Sequence, residues 1–310
     1  MKVNILMSTY NGETYLAEQI ESIQNQTYTD WQLLIRDDGS SDQTRQLIAQ
    51  YAEKDERIRF INPNQNDNYG VIKSFYTLVK YEKADYYFFS DQDDVWLPDK
   101  VETQLKEAEN YPKNELLMVY MDLKVVNQQL ETISDSMIRS QSGHANTAFV
   151  QELTENTVTG GVAMINHALA EKWQSLDNII MHDWYLALLA TAYGRLVYID
   201  KPGELYRQHD NNVLGARTWG KRIKKWLRPH FLFKLYWDLI KATQKQAQAL
   251  ITDDLSPSDR ELAEAFISVM SKSPIQRYRT LKKYNLRKNK AFHTFVFSML
   301  IITRFGYRRK

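Results

Sequence analysis

The sequence of 310 residues contains no cysteine. That absence excludes a disulfide scaffold, a thiolate metal site and a cysteine nucleophile, and it fits a reducing compartment. No Gly-x-Gly-x-x-Gly or Walker-type loop occurs, so a dinucleotide-binding Rossmann enzyme or a P-loop kinase is not supported.

The first residues hold no basic region followed by an apolar core of signal length, so no export signal is expected. The last apolar run, Phe295 to Ile302, is far shorter than the roughly 20 residues of a membrane-spanning helix.

Acidic residues are scarce in the last third of the chain. Residues 1–216 carry 18 Lys and Arg against 32 Asp and Glu, whereas residues 217–310 carry 22 against 6, and the net charge of +2 hides this split. We therefore expect a first part, 1–216, that performs chemistry and a basic, helical second part, 217–310, that meets an anionic surface. Lipid and nucleic acid are both candidate surfaces at this point. A hydrophobic content of 43% supports a real folded core.

The most informative stretch is an acid cluster that directly follows an aromatic run. Asp91, Asp93 and Asp94 come after Tyr86 to Phe89, which has the composition of a buried strand. Three neighbouring carboxylates repel one another unless a cation or hydrogen-bond donors lie between them, and their oxygens suit Mg²⁺ or Mn²⁺. The cluster therefore predicts a site for a metal ion and a diphosphate. The alternative is a polar loop that caps the next helix, a role that suits Asp99 and Glu102.

Apolar runs alternate with helical patterns along the first hundred residues. The runs are Val3 to Met7, Trp31 to Arg36, Ile58 to Ile61 and Tyr86 to Phe89. Strands that alternate with helices of 10 to 15 residues predict a mostly parallel sheet, so the fold class is α/β. Polar clusters follow three of these runs, at 8–12, 37–42 and 91–94, and ligands of open α/β sheets bind at the carboxyl ends of strands. We therefore expect the three clusters to meet at one edge of the sheet.

At these motifs a resemblance to a known family becomes visible. Ser8 to Asn11, Asp37 to Asp42 and Asp91 to Asp94, in this order and spacing, resemble the family 2 glycosyltransferases, inverting enzymes of the GT-A fold. The Asp-Gln-Asp-Asp form, with later motifs, is similar to bacterial rhamnosyltransferases that build streptococcal rhamnose polysaccharides. The resemblance covers about residues 1–215. It implies transfer of L-rhamnose from dTDP-β-L-rhamnose to a lipid-linked, rhamnose-containing glycan in cell-wall polysaccharide synthesis, at the cytoplasmic face of the membrane.

The resemblance also implies roles for individual residues. The loop of Ser8, Thr9, Tyr10 and Asn11 would hold the nucleoside, and Asp38 would accept a hydrogen bond from the pyrimidine imide. Turn formation and helix capping are the competing roles for these polar residues.

In the acid cluster, Asp91 would lie near the ribose and Asp93 would be the principal metal ligand. Gln92 is expected at the nucleotide-sugar site, although the family often has a small residue there. Gly70 and Lys73 would present a backbone turn and a cation to the diphosphate. A Lys that simply faces solvent on a helix is an equal alternative for Lys73.

Later motifs complete the expected site. Asp183 opens an apolar helix at the location of the family's catalytic acid, where His182 replaces the first member of the usual acidic pair. A carboxylate there can take the proton of an incoming sugar hydroxyl, so Asp183 is the predicted base, with helix capping as its alternative role. Arg207 would grip phosphate and His209 would join Asp91 and Asp93 as a metal ligand.

Two other segments carry predictions. The stretch 127–155 has little periodicity and is expected to form acceptor-side loops. Thr157 to Ile165 is expected to be a strand broken by the glycines 160 and 161, which mark either a close approach to a ligand or a plain β-bulge.

The basic second part has the composition of an interfacial helix. Trp219, Ile223 and Trp226 fall on one face, with Lys and Arg around the other, and this apolar face favours lipid over nucleic acid. The same face could instead form a core or a homo-oligomer interface. Two functional alternatives remain open: transfer of another hexose from a UDP-sugar to a surface glycan, and a non-catalytic, membrane-tethered nucleotide-binding module.

Overall fold

The computed structural model describes residues 1–209, 229–252 and 254–307. Its strands are β1 (Val3–Thr9), β2 (Gln32–Asp37), β3 (Ile58–Phe60), β4 (Tyr86–Ser90), β5 (Val95–Trp96), β6 (Leu117–Val126), β7 (Thr132–Ser134), β8 (Ala163–Asn166) and β9 (Arg195–Arg207). Its α-helices are α1 (Leu16–Gln24), α2 (Thr44–Lys54), α3 (Val71–Tyr81), α4 (Lys100–Ala108), α5 (Phe149–Glu152), α6 (His167–Lys172), α7 (His182–Tyr193), α8 (Pro229–Ala249), α9 (Pro257–Ser268), α10 (Pro274–Lys283) and α11 (Ala291–Thr303).

All described strands belong to one sheet in the order β3-β2-β1-β4-β8-β6-β9-β5, with β7 paired to β6. The first four strands are parallel to one another, whereas β8 runs antiparallel to both β4 and β6. The predicted α/β class is therefore confirmed. Because β1, β2 and β4 are parallel, their carboxyl ends lie at the same edge of the sheet.

The sheet has a hydrophobic core on each face, which follows from the alternation of side chains along a strand. Ile5 and Met7 pack on one face with the apolar stripe of α1 and with α4, while Leu6 packs on the other face with α3 and α7. The stripe of α1 consists of Leu16, Ile20 and Ile23, whose i, i+4, i+7 spacing in the sequence predicts one face of a helix.

Two local predictions are wrong. Residues 157–165 do not form one broken strand, because a 3₁₀ turn at Gly160–Val162 precedes the short strand β8. The side-chain oxygens of Glu204 lie so close to Gly161 that a Cβ there would be 2.6 Å from Oε1, so the paired glycines serve close packing, not a β-bulge. The sequence also predicts a strand from Arg195 to Ile199, but β9 continues to Arg207, because it pairs with β6 up to that residue and with β5 at Glu204 and Leu205.

The described C-terminal helices pack against the first part of the chain. Trp237, Leu250, Phe266 and Phe297 share one continuous core with α3 and α7. The boundary expected at 216/217 and the face of Trp219, Ile223 and Trp226 lie outside the described residues. Among the helices that are described, none combines the length and the apolar character needed to cross a membrane.

Candidate active site

A cleft of about 1160 Å³ opens at the edge where β1, β2 and β4 end. We call it the sheet-edge cleft. The predicted site residues that line it are Ser8, Thr9, Tyr10, Asn11, Asp38, Gly70, Asp91, Gln92, Asp93, Asp183 and His209. Lys73 and Arg207 are not on its wall. The three polar clusters thus meet as expected, and the chemical role of each residue remains a prediction.

Asp38 is held in place by its neighbours and still faces the cleft. Its Oδ1 accepts hydrogen bonds from Arg36 (2.6 Å), the Tyr69 amide (2.6 Å) and the Ser74 hydroxyl (3.0 Å). Its Oδ2 accepts one bond, from the Gly70 amide at 2.8 Å. A carboxylate oxygen can accept two hydrogen bonds, so Oδ2 has capacity for a donor from a ligand. The preceding Asp37 is fully buried and ties the turn together through Thr9, Ser40 and Arg45.

Gln92 joins the acid cluster to the first polar loop. Its Oε1 accepts the Tyr10 amide at 2.8 Å and its Nε2 donates to the Tyr10 carbonyl at 2.9 Å. This pairing brings the amide close to Gly12, where a Cβ would lie 2.2 Å from Oε1. A larger residue at 12 would therefore displace Gln92. The contact explains how the amide of Gln92 is accommodated at this position.

The acid cluster brings several carboxyl groups close together. Burial, with the charge of Asp93 next in importance, raises the pKa of Asp91 to about 8. Burial and the charge of Glu204 also raise the pKa of Asp94 well above its ordinary value. Asp93 Oδ2 lies 2.6 Å from His209 Nε2, in a partly exposed pair that faces the cleft.

The residues present fit a divalent cation only in part. Asp93 and His209 supply an oxygen and a nitrogen at one point, and the repulsion within the cluster is of the kind that a cation relieves. Within the described ranges, however, no group of three or more His, Asp or Glu side chains converges as a ready-made site. Magnesium is commonly bound by one or two carboxylates together with substrate phosphates, so a diphosphate would complete the shell.

A buried ion pair lies beneath the cluster, and the sequence reasoning missed it. Lys100 and Glu204 are fully buried with Nζ and Oε2 3.2 Å apart, and Lys100 also donates to the Gly161 carbonyl. Burial lowers the pKa of Lys100 to about 8, although Glu204 and the nearby aspartates favour its charged form. Lys100 thus fixes the glycine turn beside the acids. Only the burial of Lys100 identifies it as part of the site, because a single Lys at the start of a helix is not distinctive in the sequence.

Arg207 does not occupy the position expected of a phosphate ligand. Its side chain is 1% exposed and its Nε donates to the Asp93 carbonyl at 3.0 Å. Its backbone amide donates to Asp94 at 2.9 Å, and its guanidinium also bonds the Gln128 carbonyl and Glu18. These contacts hold the acid loop from behind. The expectation that Arg207 grips the diphosphate is therefore not supported by its position.

Lys73 likewise lies away from the cleft. It is exposed on α3, with its ammonium 3.8 Å from the centroid of the Tyr69 ring. The solvent-facing alternative describes this position better, because the side chain is directed to a neighbouring ring on the outer surface. Gly70, by contrast, lines the cleft with φ of 74°, a left-handed value that glycine adopts without strain.

Asp183 lies in the first turn of α7, directly beside the glycine turn. The residue is 8% exposed and lines the cleft, and its Oδ1 accepts a hydrogen bond from the Trp184 amide at 2.6 Å. Burial raises the pKa of Asp183 to about 7, whereas backbone hydrogen bonds from Trp184 and Gly160 act in the opposite direction. A carboxylate with a pKa near neutrality is well matched to general-base catalysis.

The far wall of the cleft is formed by segments whose structure and position the sequence did not predict. Met137 and Ile138 border it from a short π-helix at Ile138–Ser142, within the stretch expected to form acceptor-side loops. Leu239 of α8 and Lys288 after α10 also line the cleft. Lys288 is buried and donates to the Thr154 carbonyl, so the basic second part contributes to the site directly.

Comparison with known proteins is consistent with this geometry. The model of glycosyl transferase family 2 matches residues 4–173. The dTDP-rhamnosyl transferase RfbG of Shigella flexneri is 31% identical over 96% of this chain and 100% of its own length. A UDP-Glc:alpha-D-GlcNAc-diphosphoundecaprenol beta-1,3-glucosyltransferase, WfgD of Escherichia coli, is 32% identical over 40% of this chain and 47% of its own length.

Solved structures resemble the whole fold at low sequence identity. S. aureus TarS 1-349, in complex with UDP-GlcNAc, superposes with a TM-score of 0.58 at 15% identity, over 92% of this chain and 80% of that one. The mannosyltransferase PcManGT of Pyrobaculum calidifontis, in complex with GDP-Man and Mn²⁺, also gives 0.58, at 13% identity, over 98% and 81%. These likenesses confirm the predicted GT-A fold.

Proposed function

The chain belongs to glycosyl transferase family 2, and from that premise we propose that it is an inverting rhamnosyltransferase. It moves L-rhamnose from dTDP-β-L-rhamnose to a lipid-linked, rhamnose-containing glycan in cell-wall polysaccharide synthesis. The observation that carries the donor is the 31% identity to a dTDP-rhamnosyl transferase over that protein's full length. The placement of Asp38, Asp93 and Asp183 around one cleft supports the chemistry.

Each of these residues has a defined task in the proposal. Asp38 Oδ2 accepts the imide N–H of the thymine base, and the backbone of Ser8 to Asn11 surrounds the nucleoside. Asp183 takes the proton of the acceptor hydroxyl as that oxygen attacks the anomeric carbon. The bond from that carbon to the diphosphate breaks at the same time, and dTDP leaves with inversion at the anomeric centre.

A divalent cation, Mn²⁺ or Mg²⁺, belongs to the proposal. Asp93, with Asp91 and His209, would hold it against the donor diphosphate, where such an ion stabilises the charge of the leaving group. The short Asp93–His209 contact and the raised pKa of Asp91 support this ligand set. Lys100 and Arg207 hold the acid loop and the glycine turn in register without touching the donor.

A donor screen tests the proposed reaction. Purified protein with Mn²⁺ and a rhamnosylated lipid acceptor should release nucleotide from dTDP-β-L-rhamnose at a rate at least about tenfold above that from UDP-glucose or UDP-GlcNAc. Mass spectrometry of the lipid should show an added deoxyhexose. The control omits the acceptor, and release should then fall to background hydrolysis.

Faster turnover of a UDP-hexose would favour the second candidate, transfer of another hexose to a surface glycan, for which the likeness to the UDP-glucose enzyme WfgD is the specific observation. Nucleotide binding without turnover of any donor would favour the non-catalytic module.

We further propose that residues 217–310 dock the enzyme on the cytoplasmic face of the membrane, where a polyprenyl-linked acceptor presents its sugars. The charge of this part supports docking, and the described residues add exposed apolar side chains within it. They are Ile275, Tyr278, Phe292, Phe295 and Phe305. No acid follows Glu264, so these side chains lie in a purely basic stretch of sequence.

Liposome co-sedimentation tests the docking. Each Lys or Arg near an anionic surface contributes on the order of 1 kcal/mol, so binding should require anionic lipid and decline with added salt. Changing both Trp219 and Trp226 to Ala should weaken it, and so should changing Phe292 and Phe295 to Ser. If the protein ignores anionic liposomes, the exposed aromatics belong to a subunit interface and the segment has another partner.

A further inference from the structure

The ring of His182 is buried without a hydrogen-bond partner among the described residues. The residue is 3% exposed, and neither Nδ1 nor Nε2 is paired within that part of the chain. Burying a polar group without a partner is costly, so an unpaired buried imidazole calls for an explanation such as a ligand that supplies the partner. His182 nevertheless lines the sheet-edge cleft, where a ligand can supply the missing partner.

The surroundings of His182 keep it uncharged. Its ring stacks on Phe75 with centroids 4.2 Å apart and contacts Phe89 at 5.1 Å. Burial lowers the pKa of His182 to about 3, so the imidazole is neutral at physiological pH and offers one donor and one acceptor. A second acid at this position would instead add repulsion beside Asp183 and raise the pKa of that carboxyl further.

The position of His182 assigns it to the donor side of the cleft. Phe89 lies in β4, two residues before Asp91, and Phe75 belongs to α3, whose N-cap residue Gly70 donates its amide to Asp38. The wall expected on the acceptor side is formed by a different segment, which contributes Met137 and Ile138. Gly160 packs closely against the ring, since a Cβ there would lie 3.0 Å from His182 Nε2.

We propose that His182 binds a hydroxyl group of the hexose that the sugar nucleotide carries, next to the base Asp183. The inference rests on the proposed function only in requiring a sugar nucleotide in the sheet-edge cleft. It assigns a sugar-recognition role to a residue beside the catalytic carboxylate. The neutral imidazole forms a hydrogen bond with the sugar hydroxyl, while its flat face remains packed on Phe75.

Calorimetric titration of sugar nucleotide against bare nucleotide tests the assignment. His182→Phe keeps a flat ring against Phe75 and removes both polar atoms, whereas His182→Gln keeps a neutral donor and acceptor. With Mn²⁺ present, His182→Phe should weaken dTDP-β-L-rhamnose binding by about tenfold, the usual scale for one lost hydrogen bond, and leave dTDP affinity within about twofold. His182→Gln should recover part of the loss. His144→Phe, at an exposed histidine, is the matched control and should change neither affinity.

Two results for His182→Phe would overturn the inference. Equal losses of affinity for dTDP and dTDP-rhamnose would make His182 a structural residue. Unchanged affinity for both ligands would make it a packing group. The same titrations with UDP and UDP-glucose test the role of His182 independently of the proposal that dTDP-rhamnose is the donor. If wild type selects UDP-glucose, the donor proposal fails, yet His182→Phe must still weaken UDP-glucose selectively. A wild type that binds neither sugar nucleotide better than its nucleotide also overturns the inference.

Discussion

Asp183→Asn should lower the rate of sugar transfer by about 10²-fold or more, the usual scale of general-base catalysis, while donor affinity stays close to wild type. The substitution keeps the side chain's size and the oxygen that accepts the Trp184 amide, and it removes only the basicity. The rate is measured as nucleotide release at saturating acceptor, and donor affinity by titration with dTDP-rhamnose.

The pH profile provides a second readout of the same residue. Because the pKa of Asp183 is raised to about 7, the carboxylate is protonated and inactive below that pH. In wild type, kcat/KM should therefore rise about tenfold per pH unit and level off above pH 7. The Asn variant should lack this limb and keep a low, flat rate.

Stability separates loss of the base from misfolding. A carboxyl whose pKa is higher folded than unfolded binds more protons in the folded state, so its contribution to stability declines as pH rises from about 4 to 7. At pH 8 the Asn variant should therefore melt at the same temperature as wild type or higher. Asp177→Asn, at an exposed acid in the loop before α7, is the matched control and should keep full activity. A near-wild-type rate for Asp183→Asn would leave Asp183 with helix capping alone.

Removal of divalent metal should abolish donor turnover, and Asp93→Asn should lower it by at least about 10²-fold, because several kcal/mol of charge stabilisation at the leaving group would be lost. Turnover is measured in a chelator-treated preparation and again after Mn²⁺ or Mg²⁺ is restored. Asp93 is the residue to change because its carboxylate faces the cleft in contact with His209.

Metal binding can be followed without turnover. Titration of Mn²⁺ into protein with dTDP, detected by electron paramagnetic resonance, should show a site in wild type that Asp93→Asn weakens at least about tenfold. Asp135→Asn, at a side chain that is 83% exposed, is the control and should bind Mn²⁺ as wild type does. Full activity in a metal-free preparation would contradict the metal proposal and leave the acids to be neutralised by Lys100 and by protonation.

Local sequence patterns were sufficient to predict which polar and acidic residues lie at the carboxyl ends of the strands. The aromatic run before Asp91 and the polar turns after β1 and β2 are short-range features, and parallel strands bring their carboxyl ends to one edge. For that reason the sequence alone predicts Asp38 and Asp93 in one cleft, whereas the expectation that Asp183 joins them came from the resemblance to family 2 glycosyltransferases. The stripe of α1 was equally predictable, because a helix displays its period within a dozen residues.

Only the tertiary structure decided which charged side chains face the cleft and which support it from behind. Arg207 bonds Asp94 across 113 residues of chain, and Lys100 meets Glu204 across 104, and no local pattern encodes such pairs. The direction of Lys73 was undecided for the same reason, since a Lys on the first turn of a helix can point to ligand or to solvent.

The tertiary structure alone also showed that residues of the C-terminal part line the cleft. Composition marked residues 217–310 as basic and helical, yet Leu239 and Lys288 reach the cleft only because α8 and the segment after α10 pack on the core of the first part. Packing of that kind depends on the shape of two surfaces that are distant in sequence, whereas charge and periodicity report one segment at a time. The sequence by itself thus determined the fold class and the reactive loops, and the three-dimensional packing determined what surrounds them.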